Sequence, residues 1–378
     1  MSVTTAARVD LAAIRHNVEL LRGQAPGAGL MAVVKADGYG HGIVPAARAA
    51  VAGGASWLGV ATLAEAMTLR DAGLDIPILC WLYAPGERFD AAIAAGVDLS
   101  ATSVVQVAEI SRAAGRTGRT VRLHLKTDTG LSRSGATPAE WPAVVDAALR
   151  AQAEGLLTVV GLWSHFACAD EPGHPSIAAQ LRAFDDAVEV AEKAGVRPEV
   201  RHIANSAATL TLPEARYDLV RTGIAVYGLD PIPSLGPARR LGLRPAMTLT
   251  GRLALVKRVA AGTGVSYGHR YTTSAETTLG LVPLGYADGI PRQGTNLLEV
   301  WAAGRRRRVA GTVCMDQFVI DVGDDEIRTG DEVILFGPGD QGEPTAQDWA
   351  EMLGTISYEI VTRIGARIPR TYGGGETQ

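Results

Sequence analysis

The sequence predicts an α/β protein, with an N-terminal (β/α)8 barrel followed by a mainly antiparallel β domain. From residue 10 to about residue 235, short apolar runs alternate with segments of helical periodicity. Eight such runs are present, and eight is the number of strands that closes a parallel barrel. Beyond about residue 240 the pattern changes to short strands with glycine turns and little helix, which is typical of antiparallel sheets.

The predicted barrel strands are short and rich in Val, Ile and Leu, as expected for strands covered on both faces. They span Leu30–Val34, Trp57–Val60, Ile76–Leu79, Val97–Leu99, Val121–Leu125, Leu157–Trp163, Val200–Ile203 and Leu219–Val220. Segments with helical spacing of apolar residues, such as Thr62–Arg70 and Ser176–Ala194, lie between them and would cover the outside of the barrel.

A turn-rich segment, residues 231–237, separates the two patterns. We expect the barrel over residues 10–235 and the second domain over residues 240–378, with residues 1–9 as a candidate strand of that second domain. Its strands are predicted within Met247–Val259, Thr277–Val282, Val309–Val322 and Glu332–Phe336. We expect one late helix, Thr345–Glu351, and an exposed hairpin turn at the arginine run 305–308.

Composition restricts the class of protein. The chain has 378 residues and a net charge of −4, which gives no reason to expect nucleic acid or an anionic membrane as a partner. No apolar run reaches the roughly 18 residues of a membrane span. The three cysteines are far apart in the sequence, so we expect neither a disulfide framework nor a metal site. The first ten residues show no signal-peptide pattern, and we therefore expect a cytoplasmic protein.

Lys35 is the most informative residue, because it ends the first predicted barrel strand and precedes a turn rich in glycine. Barrel enzymes place their sites at the C-terminal ends of the strands. A lysine partly buried there has a lowered pKa and can act as a nucleophile or base. For this residue taken alone, a solvated lysine at a strand end remains the alternative reading.

Four other predicted strands also end in polar residues on the same rim. These residues are Lys126 with the following Arg133, His165, Asn205 with Ser206, and Arg221 with Gly223 and Ile224. The loops after the seventh and eighth strands form the usual phosphate site of such barrels. A reactive lysine facing a phosphate site indicates pyridoxal 5'-phosphate (PLP), although a class I aldolase would use the same elements.

The chain resembles the alanine racemase family, which are PLP-dependent enzymes of fold type III, from about residue 10 to residue 372. The motifs that support the resemblance are Ala32–Gly42, Lys126–Gly135, Ser164–Ala167, Asn205–Ser206, Arg221–Gly228, Val265–Gly268, Gly285–Gly289 and Cys314–Gln317. The resemblance implies a barrel with a C-terminal β domain, in agreement with the patterns above, and a homodimer with shared active sites.

The resemblance also implies a role for each matching residue. Lys35 would bind PLP covalently and act as the base toward D-alanine, while Tyr267 of the partner subunit would act as the base toward L-alanine. The residues implied at the cofactor phosphate are Tyr39, Ser206, Gly223, Ile224 and Tyr358, with Asn205 beside them. Arg221 would lie at the pyridine nitrogen, and His165 would lie near the ring. Substrate binding is implied for Arg133, Met315 and Tyr286, and Lys126 matches a lysine that many members carry as a carbamate.

The expected function is interconversion of L-alanine and D-alanine, supplying D-alanine for cell-wall peptidoglycan, with a catabolic role left open. Arg221 disfavours a decarboxylase of related fold, because an arginine can donate to the pyridine nitrogen but does not protonate it. Two alternatives remain: a racemase of another small amino acid such as serine, and a non-catalytic protein that binds PLP or an inhibitor. The second is disfavoured because Tyr267, Tyr286 and Met315 lie in a β domain that single-domain PLP-binding barrels lack.

Overall fold

The computed structural model describes residues 4–236 and 238–374, except for the side chain of residue 239. Residues 1–3 of the candidate N-terminal strand, residue 237 of the predicted linker and residues 375–378 of the predicted second domain lie outside the described residues.

The chain up to Thr222 alternates strands and helices. In order, it contains β1 (Thr5–Asp10), α1 (Leu11–Gln24), β2 (Gly29–Val33), α2 (Lys35–Tyr39), α3 (Ile43–Ala52), β3 (Trp57–Val60), α4 (Leu63–Asp71), β4 (Ile78–Cys80), α5 (Asp90–Ala94), β5 (Asp98–Ala101), α6 (Val104–Thr117), β6 (Val121–Lys126), α7 (Trp141–Ala153), β7 (Leu157–Trp163), α8 (Pro175–Ala194), β8 (Val200–His202), α9 (Ser206–Thr211) and β9 (Leu219–Thr222).

Strands β2 to β9 form an eight-stranded parallel sheet in the order β8-β7-β6-β5-β4-β3-β2-β9. The two end strands approach each other, because the Asp218 amide donates to Arg201 O at 3.1 Å and the Arg221 amide donates to Ala204 O at 2.9 Å. These bonds bring the sheet close to full closure, and the predicted (β/α)8 barrel is confirmed.

The rest of the chain is mainly β. In order, it contains β10 (Met247–Arg252), β11 (Leu255–Val259), β12 (Gly264–Val265), β13 (Tyr271–Thr272), β14 (Thr277–Val282), β15 (Glu299–Ala302), β16 (Arg305–Arg308), β17 (Phe318–Gly323), β18 (Glu332–Phe336), α10 (Ala346–Leu353), α11 (Ser357–Thr362) and β19 (Arg370–Gly373).

These strands form a six-stranded sheet, β16-β15-β18-β10-β1-β19, and smaller sheets β11-β14-β17 and β12-β13. Every pairing is antiparallel except that of β1 with β19. The mainly antiparallel fold class predicted for this part is therefore confirmed. Strand β1 precedes the barrel in the chain but pairs with β10, in register from Thr5 opposite Gly251 to Val9 opposite Met247.

Two local expectations for the second half were wrong. The arginine run forms strand β16 and not a turn, since the turn lies just before it at Ala303 and Gly304, both with positive φ. Strand alternation then buries Arg307, whose Nη1 donates to Val322 O at 2.9 Å. Helix α11 was not expected as a second late helix, because its six residues are too few to show a clear helical period.

The barrel interior divides into an apolar part and a polar part. Met31, Trp57, Leu79 and Leu219 form a small apolar cluster of their own inside the barrel. Polar side chains from β5, β6, β8 and β9 are also buried, and they pack around Trp163 of β7. Among the described residues, no helix has the length and apolar character needed to cross a membrane.

Candidate active site

Lys35 begins an unusual turn at the end of β2. Residues 36–39 all have left-handed backbone angles, with φ between 52° and 61°. This conformation costs about 1–2 kcal/mol for each residue with a side chain, so it persists only when its surroundings stabilise it. Glu65 supplies part of that stabilisation, because its Oε1 accepts the Ala36 amide at 2.6 Å. The turn places Lys35 and Tyr39 on the same rim of the barrel.

The environment of Lys35 makes its amine less basic than that of an exposed lysine. Burial lowers the pKa of Lys35, and the nearby Arg133 guanidinium lowers it further, while the Glu65 carboxylate acts in the opposite direction. A lysine in such surroundings can act as a nucleophile or a base near neutral pH.

Residues from four segments of the chain form a small cradle at the barrel rim. Ser206 Oγ accepts the Gly223 amide at 2.8 Å and the Ala225 amide at 3.4 Å. A Cβ at position 223 would lie 2.4 Å from Tyr39 Oη, so only glycine allows this close approach. The ring of Tyr358 packs 6.1 Å from that of Tyr39. The cradle therefore combines hydroxyl groups with a backbone that has no side chain in the way.

Arg221 lies inside the barrel, 4% exposed, with its guanidinium fixed by four contacts. Nη2 donates to Ser164 O at 2.7 Å and to Ile203 O at 3.2 Å and lies 3.1 Å from His165 Nδ1, while Nη1 lies 3.0 Å from His202 Nδ1. Burial lowers the pKa of Arg221 to about 9, so the guanidinium remains protonated at neutral pH.

Lys126 and Arg133 lie on β6 and the loop that follows it. Asp128 Oδ1 fixes this loop by accepting the amides of residues 130, 131 and 132 at 3.0 to 3.1 Å. Lys126 Nζ donates to Ser134 Oγ at 2.6 Å and lies 4.5 Å from the centre of the Trp163 ring. Burial lowers the pKa of Lys126 to about 8, with further contributions from the Arg221 and Arg133 guanidinium groups.

His165 is surrounded by positive charge. Its pKa is well below the ordinary value because the ring is buried, and because the Arg221, Arg133, Lys126 and Lys35 cations all disfavour a further proton. Arg133 has no hydrogen bond or ion pair to another of the described residues. A cluster of four cations around a neutral imidazole is suited to an anionic ligand.

Tyr267, Tyr286 and Met315 lie apart from this cluster, on loops of the second half of the chain. The loops are joined by main-chain bonds, including the Tyr286 amide to Cys314 O at 3.0 Å, and by Thr312 Oγ1, which donates to Tyr267 O at 2.8 Å. The three side chains are exposed by 74%, 43% and 54% respectively. Among the described residues, none of their hydrogen bonds or ring contacts reaches Lys35.

The structure thus places most of the predicted site residues together and leaves three outside. Lys35, Tyr39, Lys126, Arg133, His165, Ser206, Arg221, Gly223, Ile224 and Tyr358 lie at the barrel rim. Asn205 is there too, but its Oδ1 caps α9 by accepting the Ala208 amide at 3.0 Å. No described group of His, Cys, Asp or Glu side chains is arranged to bind a metal ion.

Three residues that support the site are hard to recognise in the sequence. Glu65 belongs to a helix-capping pattern with Thr62, so its contact with the Lys35 turn has no signal of its own. Asp128 resembles an ordinary loop acid. His202 has a weak signal, because strand alternation places it on the same face as Val200 and opposite to Arg201.

Comparisons with known proteins agree with the fold described above. The model of the alanine racemase N-terminal domain matches residues 9–231, and that of the alanine racemase C-terminal domain matches residues 246–372. The chain belongs to the alanine racemase family. Family membership makes it an enzyme of the isomerase class.

Individual alanine racemases are similar over almost the whole chain. That of Frankia casuarinae is 64% identical over 96% of this chain and 95% of its own length. That of Thermobifida fusca is 62% identical over 99% of both chains. The crystal structure of alanine racemase from Streptomyces lavendulae, at 57% identity, superposes with a TM-score of 0.98 over 99% of this chain and 98% of that one.

Proposed function

We propose that this protein interconverts L-alanine and D-alanine with PLP as its cofactor. The observation that supports this best is the group of four cations at the barrel rim, in which the Arg133 guanidinium is near enough to the partly desolvated Lys35 to lower its pKa. An amine of lowered pKa near an arginine that has no partner in the described part of the chain provides one group for proton transfer and one for a substrate carboxylate.

The residues at the rim fit PLP. Its phosphate would bind in the cradle of Ser206, Gly223, Ile224, Tyr39 and Tyr358, where a Cβ at position 223 would fill the space against Tyr39 Oη. Its ring nitrogen would accept from Arg221, and His165 would lie beside the ring. When bound, PLP would withdraw electrons from the substrate α-carbon and make its proton removable.

The side chains of this chain would then bind the substrate and move protons. Arg133 would bind the alanine carboxylate. Lys35 Nζ would remove the α-proton of D-alanine, and Tyr267 Oη of the partner subunit would remove that of L-alanine from the opposite face. Arg221 would donate a hydrogen bond to the cofactor without transferring its proton, so the pyridine nitrogen would stay unprotonated.

A homodimer with shared sites follows from the same proposal. Tyr267, Tyr286 and Met315 are exposed in the single chain and lie apart from the rim, as expected of side chains that complete the site of a neighbouring subunit. Met315 and Tyr286 would limit the substrate to a small side chain. The division into a barrel over residues 10–235 and a second domain over residues 240–378 remains part of the proposal.

The test is loss of optical activity when purified protein and PLP are incubated with either enantiomer of alanine, followed by circular dichroism. Both enantiomers are expected to reach the same racemic endpoint. Much faster turnover of serine than of alanine, or binding of PLP with no change in optical activity, would contradict the proposal.

We further propose that the D-alanine produced supplies cell-wall peptidoglycan. In a bacterium that depends on added D-alanine because it has no racemase of its own, expression of this chain is expected to restore growth without the supplement. The Lys35→Ala variant is the matched control and is expected to leave the requirement in place.

A further inference from the structure

We propose that three buried side chains, Asp98, His124 and His202, fix the direction of the hydrogen bonds around Arg221 and thereby position its guanidinium against the cofactor ring. We call these three residues the histidine relay. The proposal rests on the proposed function, because it assumes that Arg221 donates to PLP.

The relay occupies a part of the barrel that is ordinarily apolar. On β6, Arg122, His124 and Lys126 face inward at alternate positions, and His202 and Arg221 face the same interior from β8 and β9. Barrel interiors are usually filled by branched apolar side chains. In this barrel only a separate cluster of Met31, Trp57, Leu79 and Leu219 is apolar in the same way. Burying a continuous row of polar side chains there costs desolvation energy. We therefore expect the row to have a role in the site beyond packing.

The contacts allow only one arrangement of protons. Arg221 Nη1 lies 3.0 Å from His202 Nδ1, and since a guanidinium only donates, His202 Nδ1 must accept. The proton of neutral His202 is therefore on Nε2, which lies 3.0 Å from His124 Nδ1. His124 in turn accepts at Nδ1 and has its proton on Nε2.

The last step of the relay is a charge contact. His124 Nε2 faces Asp98 Oδ2 at 3.6 Å, which is beyond hydrogen-bond distance but close enough for the carboxylate to favour a proton on that nitrogen. Asp98 is itself fixed by Arg122 Nε at 3.1 Å, and Arg122 binds Glu199 with two bonds of 2.9 Å. The relay thus runs from an ion pair at the far end of the barrel to Arg221.

Both rings are held in place by the shape of their surroundings. A Cβ at position 161 would lie 2.0 Å from His124 Nδ1, so β7 has room for that ring only because residue 161 is glycine. The ring of His202 is stacked on Trp163 with an interplanar angle of 6°, and Trp57 packs edge-on against His124. Burial also keeps the pKa of His202 well below its ordinary value, which maintains the neutral ring.

The first test measures the tautomers directly, by nitrogen-15 NMR of the histidine rings in the PLP-loaded protein. The wild type is expected to show His124 and His202 protonated on Nε2. The His124→Phe variant leaves the His202 Nε2 proton without its acceptor, so part of the His202 population is expected to carry its proton on Nδ1 and to lose the contact with Arg221. The Asp98→Asn variant removes the charge with little change of shape and is expected to give mixed tautomers at both rings. Ser100→Ala is the control. Ser100 lies on the same strand as Asp98, and the variant removes the buried hydrogen bond from Trp163 Nε1 to Ser100 Oγ but none of the contacts between members of the relay.

The second test is kinetic. His124→Phe and Asp98→Asn are expected to lower kcat for alanine about tenfold or more, with KM changed less than about threefold, because the relay acts on the cofactor side of the site. Ser100→Ala is expected to keep kcat within about twofold. If His124→Phe does not fold, as thermal unfolding will show, Asp98→Asn decides the result.

Two results would overturn the relay: protonation of His202 on Nδ1 in the wild type, or unchanged tautomers and unchanged kcat in the folded variants. If the wild type binds PLP but does not racemise alanine, the proposed function fails, and the NMR measurement still decides the arrangement of protons in the relay.

Discussion

At the scale of single residues, Lys35 is the most demanding assignment, because one amine is expected both to bind the cofactor and to move a proton. The Lys35→Ala variant is expected to lose the visible absorbance band that PLP gains when an amine binds its aldehyde, and to lose racemisation. The measurement is an absorbance titration with PLP. Lys126→Ala is the comparison, since it removes the other rim lysine of lowered pKa, and it should keep the band. A band that survives in Lys35→Ala would contradict the assignment.

Lys126 leads to a prediction about pH. Its pKa is lowered to about 8 by burial and by two guanidinium groups, so its neutral amine increases as the pH rises through that value. Only the neutral amine can add carbon dioxide to form a carbamate, with release of a proton. In carbon-13 bicarbonate, a carbamate NMR signal is expected to grow between about pH 7 and pH 9.

The Lys126→Ala variant should show no such signal, whereas Ser134→Ala should retain it, because Ser134 only accepts from the amine. A carbamate would also turn the Lys126 position from a cation into an anion beside Arg133. A signal that persists in Lys126→Ala would assign the carbamate to another amine.

Tyr267 is expected to remove the α-proton of L-alanine and not that of D-alanine. In the Tyr267→Phe variant the hydroxyl is lost while the ring remains, so removal of the α-proton of L-alanine should fall far more than that of D-alanine. Incorporation of solvent deuterium into each enantiomer measures the two steps separately. Tyr286→Phe is the control, since it alters a neighbouring exposed tyrosine to which no proton transfer is assigned. Equal loss for both enantiomers in Tyr267→Phe would count against two bases.

At the scale of elements, the left-handed turn after β2 explains how one short segment presents both an amine and a phenol. Glu65 fixes the turn at the Ala36 amide and also raises the pKa of Lys35. Glu65→Gln is therefore expected to lower the pKa of Lys35 further and to weaken PLP binding by about 1 to 2 kcal/mol, close to tenfold. The pH dependence of PLP binding measures both effects.

Glu140 offers a matched control for that variant. It accepts similar capping bonds from Thr137 at the start of α7, and none of those bonds reaches the turn. Glu140→Gln should lower the thermal stability about as much as Glu65→Gln does, but it should not change the pH dependence of PLP binding. If both variants change PLP binding equally, Glu65 acts through general stability and not through the turn.

The elements show what the sequence could and could not predict. The barrel strands were predictable because each is an apolar run bounded by turn residues. The positions of the rim side chains were predictable because these residues directly follow the strands. The left-handed turn was not predictable, because Ala36 and Asp37 do not signal a left-handed backbone as glycine does. The turn is stabilised by hydrogen bonds to Glu65 and to Val34 O, which the local sequence does not reveal. The burial of Arg307 depends on strand pairing of β16, which the charge pattern of the arginine run conceals.

At the scale of the whole molecule, the position of Tyr267 relative to Lys35 illustrates a second limit. Local patterns assign each residue to an element, but they contain no information about which surface of a second subunit meets the barrel rim. Within one chain, Tyr267, Tyr286 and Met315 form a connected group of exposed side chains, joined through Cys314 and Thr312. Such an exposed apolar and aromatic group is typical of an interface.

Mixed dimers test the shared site. The Lys35→Ala and Tyr267→Ala variants are each expected to be nearly inactive as pure dimers, because every site has one defect. After equal amounts are unfolded and refolded together, a mixed dimer contains one site with both defects and one with neither. Random pairing makes half of the dimers mixed, so the mixture is expected to recover about a quarter of wild-type racemisation. The same variants refolded separately and combined afterwards provide the control. If Lys35 and Tyr267 of a single chain formed each site, the refolded mixture would stay as inactive as that control, because no pairing could then unite an intact lysine with an intact tyrosine.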